Sequence, residues 1–218
     1  MIRFTLGDIL NALCSGMAWT LALSGIAFTC GGAAGFGVML LRISPLALPR
    51  RAATAYIEFF QGTPLLMQLF IIFFGISLAG YDISPLAAAV IGLTLYTSAY
   101  LAEIWRGCVD ALPEGQWEAA SCLAMSRLQQ LRFVILPQAL RIAVPPTVGF
   151  SVQVVKGTAV ASIIGFMEMT KVGSMLANAT YKPLMVYGLV ALGYFSVCFP
   201  LSLAARSIER SLHVSRVR

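Results

Sequence analysis

Apolar residues in this chain gather into long stretches, each a membrane's width or more before a charge interrupts it. The first lies within Ile9–Leu41 and is clearest from about residue 17 to 41. The second starts near Ala52, carries Glu58 early and continues to about Leu78. The third is charge-free over Ile83–Ala102 and extends to about residue 104. The fourth runs from about Ile142 to Met167 with Lys156 inside it, and the fifth from Pro183 to Ala205. A helix needs about 20 apolar residues to cross the hydrocarbon of a bilayer. The pattern therefore predicts an all-α membrane protein with about five transmembrane helices. Ahead of them, residues 4–13 (FTLGDILNAL) place Phe4, Ile9, Leu10 and Leu13 at loosely helical spacing and predict a short helix lying in the interface.

One polar interruption stands out. Between the third and fourth apolar stretches, residues 110–137 hold the amphipathic run Glu118–Pro137, EAASCLAMSRLQQLRFVILP. In so apolar a chain this segment has to lie outside the lipid. Pro113 suits the opening of a helix, and Glu114 and Glu118 sit near its positive end. Trp117, Ala120 and Ala124 then share a face. A second short helix follows from Ser126, with Leu128, Leu131 and Ile135 apolar and Pro137 ending it. Ala119 and Ala120 are small enough for a close contact, while Trp117 and Leu123 are large enough to fill a partner's pocket. The hairpin so formed is a docking handle for a soluble partner; the competing reading is a loop that merely rests on the membrane.

Composition settles the solvent. Of 218 residues, 59% are hydrophobic and 11% charged, with a mean hydropathy of +0.84. Soluble domains carry about 25% charged residues, so the bilayer is the solvent and membrane lipid the first partner. The net charge of +6 comes from 15 basic and 9 acidic residues. The basic residues cluster beside apolar stretches, as topology signals do, and give no reason to expect nucleic acid. Arg42, Arg50 and Arg51 follow the first stretch; Arg106, Arg127, Arg132 and Arg141 follow the third; Arg206, Arg210, Arg216 and Arg218 follow the last. The opposite side has only Arg3, Lys171 and Lys182. The hairpin and the C-terminus are thus expected in the cytoplasm and the N-terminus outside. The first stretch is too long for the 7–15-residue core of a signal peptide, so it is expected to stay. Length allows a single domain, 1–218.

Chemistry is sparse. Five cysteines, Cys14, Cys30, Cys108, Cys122 and Cys198, are odd in number and lack metal-ligand spacing. No nucleotide-binding loop, HExxH or Ser/His/Asp set occurs, so neither catalytic residues nor a metal site are expected. Lone His213, in the basic tail, reads as solvated. Gly31 and Gly35 form a GxxxG pair, read as packing within the subunit in preference to a dimer seam. Gly62-Thr63-Pro64 would break the second helix, and Pro145-Pro146 would disturb the start of the fourth; such breaks are tolerated where they line a cavity or are covered by protein. Lys156 has to face the interior or water. It either lines a path or pairs with Glu58 or Glu103. Those two carboxylates, near cytoplasmic helix ends, read as gating or interhelical pairing groups. Glu168 and Lys171 read as a solvated pair at the outer face.

These residues together resemble a family. Glu118–Pro137 is similar to the EAA loop of binding-protein-dependent ABC importer permeases. Tyr56–Phe70 (YIEFFQGTPLLMQLF), Ser98–Gly107 (SAYLAEIWRG), Pro113–Ala120 (PEGQWEAA), Ile135–Arg141 (ILPQALR) and then Pro145, Pro146 and Lys156 resemble, in order, the polar amino acid permeases of the histidine/glutamine type. The resemblance covers roughly residues 5–210. It implies a type I importer fold and a bacterial inner-membrane transport subunit that is not an enzyme. It implies two partner ATPase chains that bind the ATP and Mg, so that no cofactor belongs to this chain. A second permease, identical or homologous, and a periplasmic or lipid-anchored amino-acid-binding protein complete the assembly. ATPase coupling falls on Trp117, Glu118, Ala119, Ala120, Leu123 and Ala124, and the substrate path on Gly62, Thr63, Pro64, Lys156 and Thr158. The chain departs from the pattern at Gln61, where Arg is usual, at Gly149 and Ala159, and at Ala124, where Gly is usual. With Ala there, the bend of the hairpin is either stiffer or shifted to Ser126. An ion-coupled transporter or a channel subunit is the rival reading.

Overall fold

In the computed structural model, which describes residues 5–214, the chain is a bundle of helices with no strand among the described residues. Arg3, Arg216, Arg218 and the side chain of His213 lie outside that description. Helix α1 spans Leu6–Arg42, α2 Ala47–Gly62, α3 Leu65–Leu78 and α4 Pro85–Asp110. The polar segment forms α5, Glu114–Cys122, and α6, Arg127–Gln129, which widens into a π-helical turn over Gln130–Ile135. Then come α7, Leu136–Gly157, a 3-10 stretch over Thr158–Ser162, α8, Met169–Thr180, and α9, Pro183–Val214. The stretches Leu6–Arg42, Pro85–Asp110, Arg127–Ser162 and Pro183–Leu212 are long and apolar enough to cross a membrane, and α2 with α3 makes a fifth crossing if the bent pair is one span.

Three elements differ from the sequence pattern. The N-terminal interfacial helix and the first span are one continuous helix of 37 residues. A Thr5–Asp8 capping box starts it, satisfying orphan N–H groups at both positions. Within this helix Gly16 forms a notch, where a Cβ would stand 2.8 Å from the Cα of Met169. The second span is two helices meeting at 103°. Finally, Pro137 does not end the second arm of the hairpin. It falls in the first turn of α7, so the arm runs straight into the fourth span. The π turn before it bonds Leu136 N–H to Leu131 O, a wider loop that makes room for the proline ring. The helix also runs through Pro145 and Pro146, and after Gly157 it continues, tightened, as the 3-10 stretch Thr158–Ser162.

The largest contact joins α1 to α4. A Cβ on Gly31 would lie 2.6 Å from the Cβ of Thr97, and one on Gly35 2.8 Å from Ser98 O. The GxxxG pair is therefore spent inside the subunit. Lipid supplies no hydrophobic drive for helix association, so van der Waals contact at close approach is what holds such a pair. Around it Leu23, Ala27, Leu69, Leu93, Leu101, Phe150 and Val154 form the main core. Large apolar side chains stay outside, such as Ile71 and Leu78 on α3 and Leu184 and Leu192 on α9. That is ordinary for a surface that meets lipid or another membrane chain.

Candidate functional site

The hairpin is built on an internal apolar base. Val109, Leu112, Ile135 and Ala139 are buried there, with Trp117, Leu131 and Ile142 packed against them. Helix α5 lies on this base through Trp117, half-buried, and Ala120, which is 1% exposed. The Arg127 guanidinium sits 5.6 Å from the centre of the Trp117 ring, a cation–π contact across the two arms. Gln138 Nε2 donates to Gln116 Oε1 at 3.0 Å, and Gln130 Nε2 to Ser121 Oγ and Met125 O. Ser126 and Gln129 form a capping box that opens the second arm.

The turn between the arms sits at Ala124, with φ of 52°. Met125 N–H reaches back to Ala120 O and Ala124 N–H to Ser121 O, the paired bonds of a Schellman motif whose left-handed residue is usually Gly. Alanine has not shifted the bend to Ser126; it takes the left-handed conformation itself, against its Cβ. Glu118, Ala119, Leu123 and Ala124 are exposed, as is Leu128, so they form the outward surface of the hairpin. Of the other residues expected to couple, Trp117 is half-buried against the base of the hairpin and Ala120 is buried.

The second cluster is made where a helix break meets a helix that changes from α to 3-10. Gly62, Thr63 and Pro64 separate α2 from α3; Gly62 and Pro64 are exposed and Thr63 half-buried. A Cβ on Gly157, where α7 tightens into the 3-10 stretch, would lie 3.3 Å from Leu65 Cδ2 and 3.6 Å from Leu93 Cδ2. The start of α3 and the end of α7 thus meet, against α4. Lys156 stands beside this junction, exposed, in the last turn of α7. A cation there is favoured by the carbonyl end of the helix. Thr158 is 0% exposed, and its hydroxyl donates to Val155 O at 2.7 Å.

Among the described residues the ion pairs are Arg106–Glu103, at 2.6 Å, and Arg106–Asp110. Neither Glu58 nor Glu103 pairs with Lys156: Glu103 is taken by Arg106, and Glu58 is exposed.

Residues 27–214 match the family of binding-protein-dependent transport system inner membrane components. The chain belongs to that family. A probable amino-acid ABC transporter permease of Bacillus subtilis is 37% identical over 183 residues, 84% of this chain and 81% of the relative. A glutamine transport system permease of Escherichia coli is 33% identical over 77% of each chain. In structure, a chain of an amino acid ABC transporter crystallised with histidines superposes with a TM-score of 0.89 at 32% identity, covering 97% of this chain and 100% of that one. The bundle is therefore the membrane component of a binding-protein-dependent importer, with the type I permease fold.

Two residues of this permease escaped the sequence reading. Glu168 is not a solvated partner of Lys171 but 0% exposed. Its carboxylate accepts from Tyr194 OH at 2.7 Å, Lys171 N–H at 2.8 Å and Thr20 Oγ1 at 3.4 Å. It caps α8 and ties that helix to α1 and α9. Its signal in the sequence was weak: a lone Glu three residues before a Lys reads as a surface pair. Gln68 is the other. It is 4% exposed and reaches back to the α2–α3 break, and only the 103° bend brings it there.

Proposed function

We propose that this permease carries a polar amino acid across the bacterial inner membrane, driven by ATP that two partner ATPase chains bind with Mg and hydrolyse. The amino-acid and glutamine relatives support that cargo class. A periplasmic or lipid-anchored binding protein delivers the substrate, and a second permease chain, the same or homologous, completes the pathway. The N-terminus lies outside and the C-terminus in the cytoplasm; the clustering of arginines after α1, after α4 and in the tail supports this orientation. The coupling site is the outward surface of the hairpin: Glu118, Ala119, Leu123 and Ala124. Trp117 and Ala120 act through it, as the base that keeps it stiff.

The observation that carries this reading is the division of labour in the hairpin. One face is locked onto the bundle through Trp117, Ala120 and Gln138, while Leu123, 76% exposed, and Leu128, 75% exposed, point away from it. A loop resting on the membrane would need no such internal bracing. When the ATPases close, they favour one position of the hairpin. Because α6 continues through the π turn into α7, that position is passed along one rod to the 3-10 stretch after Gly157. The substrate path is placed where the α2–α3 break meets the end of α7, with Gly62, Thr63, Pro64 and Lys156; a broken span is where a membrane protein can expose backbone groups to a polar cargo. Thr158 supports the path from within the packing. Mechanistically this is a population shift, in which ATP binding favours one arrangement of the bundle and hydrolysis restores the other.

Glu118→Lys tests it. The exposed side chain does not support the fold, so the variant should insert normally. It should lose association with the ATPase chains in a pull-down, and with it ATP-dependent uptake by at least about tenfold, roughly 1.4 kcal/mol of lost coupling. Intact association and intact uptake would refute the docking role.

A further inference from the structure

We propose that Gln68 is the positioning residue that sets the angle of the α2–α3 break, and that release of its side-chain amide lets the two arms re-angle during transport. This rests on the transport reading above and names the element of the path that moves.

At Thr63 the backbone leaves the helix, Pro64 has no N–H to offer, and α3 departs at 103°. The last carbonyls of α2 lose their helical partners at such an end, and an unpaired carbonyl in a membrane has little water to turn to. Two side chains answer for them: Thr63 Oγ1 donates to Phe59 O at 2.8 Å, and Gln68 reaches back across the break. Gln68 Nε2 donates to Phe60 O at 2.8 Å, Thr63 O at 3.0 Å and Thr63 Oγ1 at 2.9 Å. All three acceptors belong to the last turn of α2 and its cap, whereas Gln68 belongs to the first turns of α3. The amide therefore spans the bend and fixes the angle between the arms.

Its other end makes no hydrogen bond within this chain. Gln68 Oε1 is buried with no hydrogen-bond partner. Buried polar groups in folded proteins are nearly always paired, so a side chain kept for stability alone is expected to be satisfied at both ends. An amide held by its donors only sits in a shallower well. It suits a contact made in one state and given up in another. Motion there has a route outward. Next to Gln68, Leu69 fills the notch at Gly92, where a Cβ would stand 2.5 Å from Leu69 Cδ2, and Leu65 lies against Gly157. Re-angling α3 thus moves α4 and the 3-10 stretch after Gly157 together.

The test uses the complete transporter, permease, ATPase and binding protein, in lipid nanodiscs and proteoliposomes. Spin labels at Ala55→Cys and Ser77→Cys, both exposed and on opposite arms, in a chain freed of its native cysteines, report the bend as a distance distribution. The unaltered residue should give a narrow distribution without nucleotide. Gln68→Met, equal in length but without the donors, should broaden it and lower substrate carried per ATP hydrolysed about tenfold, while ATP hydrolysis persists. Gln68→Glu should act the same way, since an ionised carboxylate would face three acceptor oxygens. An unchanged distribution with unchanged coupling overturns the proposal. Should neither variant assemble, Thr63→Ala, which removes one acceptor and leaves Gln68 in place, should broaden the distribution to a lesser degree; no broadening overturns it. Absence of ATP-driven uptake in the unaltered complex overturns the transport reading itself, and is seen before any variant is compared.

Discussion

Ala124 concentrates a cost that the rest of the hairpin carries. Its φ of 52° is a conformation that a Cβ disfavours, by roughly 1–2 kcal/mol for an L-residue. The Schellman bonds to Ala120 and Ser121 and the Gln130 contacts hold it there. Replacing it with Gly should relieve the strain, less the extra freedom Gly has in the unfolded chain. Ala124→Gly is therefore expected to raise the stability of the solubilised permease by about 1 kcal/mol, seen as a higher midpoint in a thermal unfolding scan. A lower midpoint would mean the turn is not strained. The position was legible in the sequence as a departure from a glycine; which of two bends it would take was not. Both Ala124 and Ser126 suit a helix boundary, and only the back-bonds from Met125 and Ala124 choose between them. Glu168 shows the opposite case. Its charge pattern pointed to solvent, and burial by Thr20 and Tyr194, 148 and 26 residues away in sequence, reversed it.

At the scale of elements, close approach decides. The α1–α4 seam depends on Gly31 and Gly35, whereas Gly37 on the same helix meets nothing within 4 Å of where a Cβ would be. Gly35→Val should push the helices apart at Ser98 and destabilise the bundle by about 1–3 kcal/mol. Gly37→Ala should be neutral or slightly stabilising, because Ala is the better helix former. Comparing the two midpoints checks the seam; equal effects would show that glycine matters here for helix propensity and not for packing. The spans could be recognised from their apolar runs, because their length answers to the thickness of the bilayer. The bend of 103° between α2 and α3 was legible only as a site of breakage at Gly62-Thr63-Pro64. Proline and glycine say where a helix stops; they do not say at what angle the next one leaves. The continuity of the second hairpin arm with α7 was hidden for a related reason: Pro137 marks a helix start as readily as an end.

For the whole molecule, orientation is the prediction that matters most. Leu123→Cys, in a chain whose five native cysteines are replaced, puts a thiol at the tip of the hairpin. A membrane-impermeant maleimide should leave it unlabelled on intact spheroplasts and label it fully once the membrane is opened. Labelling of intact spheroplasts would turn the chain over and remove the coupling site.

The amino-acid sequence alone determined that this chain lives in lipid, how many times it has material to cross, and which segment cannot be buried there. Those properties follow from local composition summed over about 20 residues, and no distant contact alters them. The residues that resemble an importer permease also lie in short runs and could be read in order. What only the tertiary structure decided is which side chains of the hairpin are spent inward, that the break at residues 62–64 meets the end of α7 at Gly157, and that Glu168 and Gln68 are buried. Each of these depends on residues far apart in the chain meeting at packing distance. Helix periodicity assigns a side chain to a face, but what lies against that face is settled only when the bundle closes.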